Sequence, residues 1–289
     1  MADEPAPEPS YDLASWIGRC EHRLDLAAAS PLARLQATLD RPVRAPQIGD
    51  PVPPLGHWLY FLPSEPSSAL GPDGHALRGG FLPPIHDLPR RMWAGGRLAF
   101  AGALEVGAAI RRVSTITDVK RRTGRSGPLG FVTVRHEVGP DAGPAVIVEH
   151  HDIVYRPLEA AAAPPAPPAP PRAPWHRELT PDAVMLFRYS ALTFNGHRIH
   201  YDRRYAIDVE RYPGLVVHGP LVATLLVDLL AHHLADRAIT EFSYRAVSPC
   251  FDGAPIRLDA VPPDADGRSR AWASGPDGAL IMEAVAMIR

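Results

Sequence analysis

The densest run of polar side chains in this 289-residue sequence lies in its second half, just before a long apolar segment. Asn195, His197 and His200 follow each other closely, in a stretch whose Asn-Gly pair is typical of a turn. His218 and Gly219 come directly before the apolar segment, which predicts a helix. The N–H groups at the start of a helix are a ready site for a carbonyl oxygen or a developing anion. The spacing alone therefore predicts a polar site beside a helix N-terminus.

Arginines crowd the same stretch, at Arg188, Arg198, Arg203, Arg204 and Arg211. Local positive charge suits a phosphate-bearing substrate handle, although a basic stretch is also typical of a solvated surface. His197 and His200 have the spacing of two metal ligands, but no convincing third ligand accompanies them, so we expect no metal site. A single histidine is more often structural than catalytic, and spacing does not separate the two roles.

A proline- and alanine-rich segment, residues 160–174, divides the chain into two domain-sized parts. Such a stretch cannot pack a core or continue a sheet, so we expect an exposed and poorly ordered polyproline-type connector. The expected domains are residues 1–159 and residues 175–289.

Alternating apolar and polar positions predict antiparallel strands in both parts. In the first part we expect a helical region at residues 15–39, broken near 30–31, and then strands at 97–106, 108–122, 128–138 and 145–156. In the second part we expect a polar helix-and-loop region at 180–213, an apolar helix at 218–234, and strands at 239–248, 254–262, 269–275 and 279–288.

The two parts match each other weakly. Residues 103–113 align with residues 249–259, sharing a glycine that is followed three and four positions later by Ile and Arg. The match and the similar order of elements favour a duplicated unit, in which a curved antiparallel sheet wraps one long helix. The expected fold class is α+β.

The composition excludes several classes of protein. Apolar residues make up 46% of the chain, which rules out wholesale disorder, and a formal net charge of −2 provides no basic field for nucleic acid. The first residues lack the features of a signal peptide, and the apolar run at 220–234 is shorter than the about 20 residues of a membrane span. Cys20 and Cys250 are expected to be reduced, so we expect a cytoplasmic protein that binds neither nucleic acid nor membranes.

Two strings, TFNGHRIHYD at 193–202 and YPGLVVHGPL at 212–221, resemble the MaoC-like hydratases of the hotdog superfamily. The motif of that family reads Asp, any residue, Asn, Pro, an aliphatic residue and His, with a helix starting further on. Ile199 and His200 fit the motif, and Gly219 follows His200 at about the family spacing.

The sequence also departs from the motif. Asn195 stands where the family has its catalytic aspartate, His197 where it has asparagine, and Arg198 where it has proline. These strings are similar to the double-hotdog hydratases that act on mesaconyl-C4-CoA (3-methylfumaryl-CoA) and to their relatives, the itaconyl-CoA hydratases and mitochondrial-type hydroxyacyl-thioester dehydratases. Residues 88–100 and 111–134 resemble the first half of the same proteins.

The resemblance implies a double hotdog, with a degenerate N-terminal dehydratase-type hotdog followed by a MaoC-like catalytic hotdog. It implies that His200 is the general base for water, that Asn195 holds the water by its amide, and that the Gly219 N–H polarises the thioester oxygen. We expect Asp202 to cap the chain that follows or to pair with Arg203 or Arg204, rather than to orient His200.

Four further residues are expected to bind the substrate: His218, Arg198, Arg90 and Arg91. The last two could pair with a free substrate carboxylate, or could equally support their own loop.

The implied reaction is the hydration of an enoyl-CoA without a cofactor, with mesaconyl-C4-CoA to citramalyl-CoA as the best match. Two alternatives stay open: dehydration of another 3-hydroxyacyl thioester, and a non-catalytic acyl-thioester-binding hotdog in which Asn195 marks the loss of catalysis. Two hotdogs in one chain make a self-sufficient unit, and its association into a homodimer stays open.

Overall fold

The computed structural model describes residues 12–42, 44–124, 127–157, 165–235 and 237–289. Within these residues one antiparallel sheet is formed by β1 (Cys20–Leu26), β2 (Arg90–Phe100), β3 (Ala109–Gly124), β4 (Gly127–Pro140), β5 (Ile147–Arg156), β6 (Trp175–Leu179), β7 (Ile239–Ala246), β8 (Ile256–Ala260), β9 (Arg268–Ser274) and β10 (Leu280–Ile288). The α-helices are α1 (Ala29–Thr38), α2 (Ala183–Leu192) and α3 (Gly219–Leu234). None of the helices in these ranges is long and apolar enough to cross a membrane.

The strand order contains a two-fold repeat. From edge to edge it runs β1-β3-β4-β5-β2-β7-β10-β9-β8-β6, so each half of the chain supplies five consecutive strands. At the centre β2 pairs antiparallel with β7, with Gly95 opposite Arg245. A Cβ atom at position 95 would lie 2.5 Å from the Tyr244 carbonyl oxygen, so this close approach requires glycine. The two halves therefore form one continuous sheet, as the expected duplication requires.

The weak sequence repeat marks equivalent strands. Ile110 in β3 and Ile256 in β8 are both fully buried, and each of these strands is second from its edge of the sheet. Gly107 and Gly253, which precede the two strands, both have a positive φ, of 91° and 77°. The predicted alignment of the two parts is confirmed at these positions.

The halves differ in what their strands enclose. In the second half α3 buries ten of its sixteen residues. In the first half the described residues contain no helix of that length after α1, and Leu55, Leu59 and Phe61 supply buried side chains to the core instead. A long central helix is thus a feature of the second half.

Residues 15–39 differ from the expected helical region. The segment contains β1, which pairs with β3 along its whole length, and α1 starts only after it. Leu24 and Leu26, which suggested an apolar helix face, are 72% and 52% exposed on this edge strand. The prediction is wrong here because local helix propensity is a weak preference that strand pairing overrides. The other edge strand, β6, is also absent from the sequence prediction.

Part of the expected connector is packed against the sheet. Residues 158–164 lie outside the described part of the chain, whereas residues 165–174 are described. The Leu280 N–H donates to the Pro167 carbonyl, and the N–H of the buried Ala173 donates to the side chain of Asp259. Six of these ten residues are exposed, as expected, but Ala173 is buried and the backbone groups of Pro167 and Ala173 find partners in the second half. The division into two domains at this segment stays a prediction.

Candidate active site

α3 begins where the two halves meet. Gly219 is its first residue, and Pro220 follows, as suits a first turn in which an N–H would lack an intrahelical partner. A Cβ atom at Gly219 would lie 4.0 Å from the carbonyl oxygen of Trp93 in β2. The start of the helix therefore faces the central strand of the first half, and its first-turn N–H groups are available to an oxygen atom placed there.

His200 is a buried base with a defined tautomer. It ends a short 3₁₀ turn, Arg198–His200, and its Nδ1 lies 2.7 Å from the carbonyl oxygen of Val216. A carbonyl oxygen only accepts, so Nδ1 carries the proton and Nε2 keeps its lone pair. Burial lowers the pKa of His200 to about 4, although the hydrogen bond to Val216 opposes this. His200 is therefore neutral at neutral pH, with one nitrogen able to accept a proton.

His218 stacks on His200. The ring centroids are 3.6 Å apart, and the planes differ by 17°. His218 Nε2 lies 2.8 Å from Ser190 Oγ in α2, while Nδ1 is buried without a hydrogen-bond partner in the described structure. Burial lowers the pKa of His218 well below its ordinary value, and His200 and His197 lower it further. Both stacked rings are thus uncharged at neutral pH, since two adjacent imidazolium ions would repel each other.

Asn195 closes the turn that leads to His200. Its Oδ1 accepts a hydrogen bond from the His197 N–H at 3.0 Å, and its own N–H donates to the Ser190 carbonyl at 2.8 Å. These bonds shape the loop and hold Asn195 close to the site. Its expected role in holding the water stays a prediction.

Arg198 forms an ion pair with Asp202, four residues further on, at 2.7 Å. The expected cap is present, since Asp202 Oδ1 accepts from the Tyr205 N–H at 3.0 Å. The ion pair expected with Arg203 or Arg204 is replaced by the one with Arg198, because the spacing of four places Arg198 on the same side of the turn. Arg203 pairs with Asp252 instead. Asp202 does not orient His200, whose Nδ1 is held by a backbone carbonyl. The role of Arg198 in substrate binding stays a prediction, with its guanidinium already engaged in the loop.

Arg90 and Arg91 are neighbours in β2 and therefore point to opposite faces of the strand. Arg90 donates to both the side chain and the backbone carbonyl of Glu210, at 2.9 and 2.6 Å. Arg91 has no ion-pair partner within the described ranges. Its charge adds to burial in lowering the pKa of His75, and it acts in the same direction on His197. The structure thus brings Arg91, and not Arg90, toward the histidines with its charge uncompensated.

Asp73 and His75 reach this site from the first half, and sequence reasoning missed them. The ring of His75 lies 4.0 Å from that of His197, which in turn lies 5.4 Å from that of His200. The local sequence Pro-Asp-Gly-His reads as an ordinary turn. Its only chemical signal is the single histidine, and more than 120 positions separate it from His200 in the chain.

A groove of about 850 Å³ lies elsewhere, across strands of both halves. Its lining includes the charged residues Arg97, Lys120 and Arg245, together with Pro168 from the segment before β6. Its lining contains neither the histidines of the candidate site nor Asn195, Arg198, Arg90, Arg91 or Gly219. The candidate site is therefore defined by its buried histidines and the start of α3 rather than by open volume.

The duplicated sheet and the long helix of the second half define a protein with a double hotdog fold. A solved structure of a MaoC-like dehydratase from Phytophthora capsici superposes with a TM-score of 0.71 at 14% identity, covering 96% of this chain and 98% of that chain. The predicted α+β double hotdog is confirmed.

The chain belongs to the hydroxyacyl-thioester dehydratase type 2 family, which matches residues 55–252. It is 49% identical over 279 residues to the mesaconyl-C(4)-CoA hydratase of Chloroflexus aurantiacus, covering 95% of this chain and 97% of that protein. It is 27% identical over 265 residues to the mitochondrial hydroxyacyl-thioester dehydratase type 2 of Schizosaccharomyces pombe, covering 81% and 87%. The family that the sequence motifs predict is confirmed.

Proposed function

We propose that this protein is a hydro-lyase that reversibly adds water to the double bond of an enoyl-CoA, and that its substrate is mesaconyl-C4-CoA, which it converts to citramalyl-CoA. The observation that carries the reaction type is His200, buried and neutral, with its Nε2 lone pair uncommitted beside the start of α3. The 49% identity to a mesaconyl-C(4)-CoA hydratase over nearly the whole chain supports the choice of substrate.

The reaction needs a base for water and a stabiliser for negative charge on the thioester. His200 Nε2 takes a proton as the water oxygen bonds to the β-carbon, and the electrons of the double bond move toward the thioester oxygen. The Gly219 N–H, in the first turn of α3, donates to that oxygen. His200 then returns the proton to the α-carbon, so the enzyme ends the cycle in its starting protonation state. His218 restricts His200 by stacking against it.

The substrate class is argued from Arg91. Mesaconyl-C4-CoA carries a free carboxylate at the end of the acyl group away from the thioester. An arginine is well suited to bind a carboxylate through two parallel hydrogen bonds, and Arg91 is half-buried with no acidic partner in the described parts of the chain. Arg90 is held by Glu210, so it supports the loop instead. Arg91 is therefore the residue that we assign to the substrate carboxylate.

A dehydratase of another 3-hydroxyacyl thioester is the second candidate, because the family description and the Schizosaccharomyces pombe relative both carry that activity in their names. The two candidates share the same acid–base chemistry and differ in the acyl group. We further infer a cytoplasmic location, which the two unpaired cysteines support, and association into a homodimer.

A panel of enoyl-CoA thioesters tests the proposal. The purified protein is mixed with mesaconyl-C4-CoA, with a short uncharged enoyl-CoA and with a long uncharged enoyl-CoA, and the loss of the conjugated thioester absorbance is followed. We expect mesaconyl-C4-CoA to give the highest kcat/KM. Preference for the long uncharged thioester would favour the second candidate. Binding of thioesters without any turnover would support a non-catalytic protein.

A further inference from the structure

A loop of the first half is built onto the catalytic loop of the second half. The Arg198 N–H donates to the Asp73 carbonyl and the Arg198 guanidinium to the Pro72 carbonyl, both at 2.9 Å. A Cβ atom on Gly74 would lie 1.9 Å from the Gly196 carbonyl oxygen, and Gly74 has a φ of 87°. Only glycine allows this approach. Residues 71–77 are thus docked, backbone to backbone, on residues 195–200.

The docked loop presents an oriented imidazole. Asp73 Oδ2 lies 2.9 Å from His75 Nδ1, and Asp73 Oδ1 accepts from the His75 N–H at 3.0 Å. Burial alone would raise the pKa of Asp73, but the hydrogen bonds and charge of His75 bring it below its usual range. An ionised carboxylate only accepts, so it fixes the proton on Nδ1 and leaves Nε2 as an acceptor. Burial lowers the pKa of His75, so this ring is neutral at neutral pH.

This imidazole lies close to the proposed base. The ring of His197 contacts both, with its centroid 4.0 Å from that of His75 and 5.4 Å from that of His200. A positive charge on His75 would lower the pKa of His200 further. The family motif has an aspartate where this chain has Asn195, whose Oδ1 is used by the His197 N–H. The second half therefore offers His200 no acidic partner at the motif position.

We propose that His75, oriented by Asp73, is a further catalytic residue that the first half supplies: its Nε2 accepts a hydrogen bond from the water that His200 deprotonates. The proposal rests on the hydratase function proposed above. One O–H of the water points to His200 and the other to His75, which aligns an oxygen lone pair with the β-carbon. The proton passes to His200, the oxygen bonds to carbon, and His75 stays neutral throughout. The first half thus supplies a polar group in place of the aspartate that the family motif has and this chain lacks.

The same side chains could also be considered as metal ligands, since one ligand atom each from Asp73, His75 and His197 lies within 4.8 Å of the others. Two features oppose a cation. The Nδ1 of His75 is already bonded to Asp73, and the positive charges of Arg91 and Arg78 both act on His75. A cationic surrounding suits a water near an anionic substrate better than it suits a divalent metal.

The test compares His75→Ala, His75→Gln and Asp73→Asn with the wild type on mesaconyl-C4-CoA, with Leu77→Ala as a control in the same loop. Leu77 is exposed, so its truncation should change neither kcat nor KM. We expect His75→Ala to lower kcat by roughly 10²-fold with KM nearly unchanged, the scale of a misplaced reactant. His75→Gln, which restores an acceptor oxygen, should recover part of the loss, and Asp73→Asn should fall between His75→Ala and the wild type.

The outcomes separate the two proposals. A His75→Ala variant as active as the wild type, in an assay where His200→Ala is inactive, would overturn the role of His75 and leave the hydratase function intact. Equal losses in His75→Gln and His75→Ala, accompanied by a lower melting temperature, would make His75 a structural residue and overturn the inference. Stoichiometric metal in the purified protein, with activity lost on chelation, would overturn it in favour of a metal site. A wild type inert toward every thioester would overturn both proposals.

Discussion

The two halves of the sheet contain the same five-strand order but fill it with different polar groups. In the first half the buried carboxylate of Glu149 accepts from His57 and Trp58, at 3.0 and 3.1 Å. In the second half His200 uses one nitrogen for a backbone carbonyl and keeps the other uncommitted. The Glu149 carboxylate is thus occupied by donors of the protein, whereas one nitrogen of His200 is available to a reactant. Two units with the same strand order thus hold their buried polar groups in different ways.

The charge states of Glu149 and His200 differ as well. Burial would raise the pKa of Glu149, but its hydrogen bond with His57 and the charges of the nearby histidines lower the pKa to about 2, so it is ionised. A buried carboxylate that is ionised contributes to stability only while its partners are in place. His200 is kept neutral by burial and has no carboxylate to stabilise a charge on it. A neutral, buried imidazole is poised to accept a proton when the substrate arrives.

Removal of the base should produce the largest change. We expect His200→Ala to lower kcat by about 10² or more, the usual scale for the loss of general acid–base help. The fold should survive, with a modest fall in melting temperature because the buried hydrogen bond to the Val216 carbonyl is lost. Turnover of mesaconyl-C4-CoA and thermal unfolding measure the two effects. Activity close to that of the wild type would transfer the role of base to another residue.

Removal of the Glu149 carboxylate should reduce stability and have little effect on turnover. We expect Glu149→Ala to lower the free energy of unfolding by about 3 kcal/mol, because the donors of His57 and Trp58 would be left buried without an acceptor. Turnover per folded molecule should change little. Denaturant unfolding and kinetics on the same preparation check this. A stable but inactive variant would show that the first half takes part in the chemistry through Glu149 as well.

Substrate selectivity should depend on one of the two adjacent arginines. We expect Arg91→Gln to lower kcat/KM for mesaconyl-C4-CoA by roughly tenfold or more, the scale of a hydrogen bond to a charged group, and to spare an uncharged enoyl-CoA. Arg90→Gln is the matched control: it breaks the pair with Glu210 and should reduce stability without changing the ratio of the two substrates. Equal losses on both substrates in Arg91→Gln would contradict carboxylate recognition.

Substitution of Asn195 should lower activity less than substitution of His200 or Arg91. Its Oδ1 holds the loop, so we expect Asn195→Ala to weaken turnover severalfold with little change in affinity. Asn195→Asp keeps the acceptor and should stay closer to the wild type, since the bond to the His197 N–H survives. The two variants are compared by kcat and KM. Activity that appears only in Asn195→Asp would mean that the wild type has lost catalysis.

Between pH 7 and 5 we expect almost no change in kcat/KM. In the proposed reaction His200 is a base, so we expect activity to be lost only as the pH falls through its pKa of about 4. The free energy of unfolding should decline at a higher pH than activity does. Burial lowers the pKa values of His136 and His151, in the first half, to about 3 and 4. Because the same histidines bind protons below about pH 6.5 in the unfolded chain, acid favours the unfolded state from that pH downward. A pH–rate profile and unfolding curves separate these ranges. An acid limb near pH 6.5 in kcat/KM would contradict the buried environment of His200.

Features that depend on a local pattern of residues could be predicted from the sequence alone. The helix predicted at 218–234 is α3, which starts one residue later. It could be predicted because a helix that is buried on most sides consists of consecutive apolar residues. Most strands were predicted for the same reason, and the motif around His200 identified the family. The edge strand β1 was not predicted, since its leucines are exposed and its backbone bonds come from a partner strand some 90 positions away.

The grouping of the polar side chains depends on the folded arrangement and could not be predicted from local pattern. The sequence offered Arg90 and Arg91 as equals, and the difference between them comes from Glu210, 120 positions away. The tautomer of His200 is set by the carbonyl of Val216, which carries no sequence signal. His75 reaches the site only because its loop docks on residues 195–200. Side-chain partners that are distant in the chain have no period or spacing to reveal them, so their chemistry is decided by the folded arrangement of the two halves.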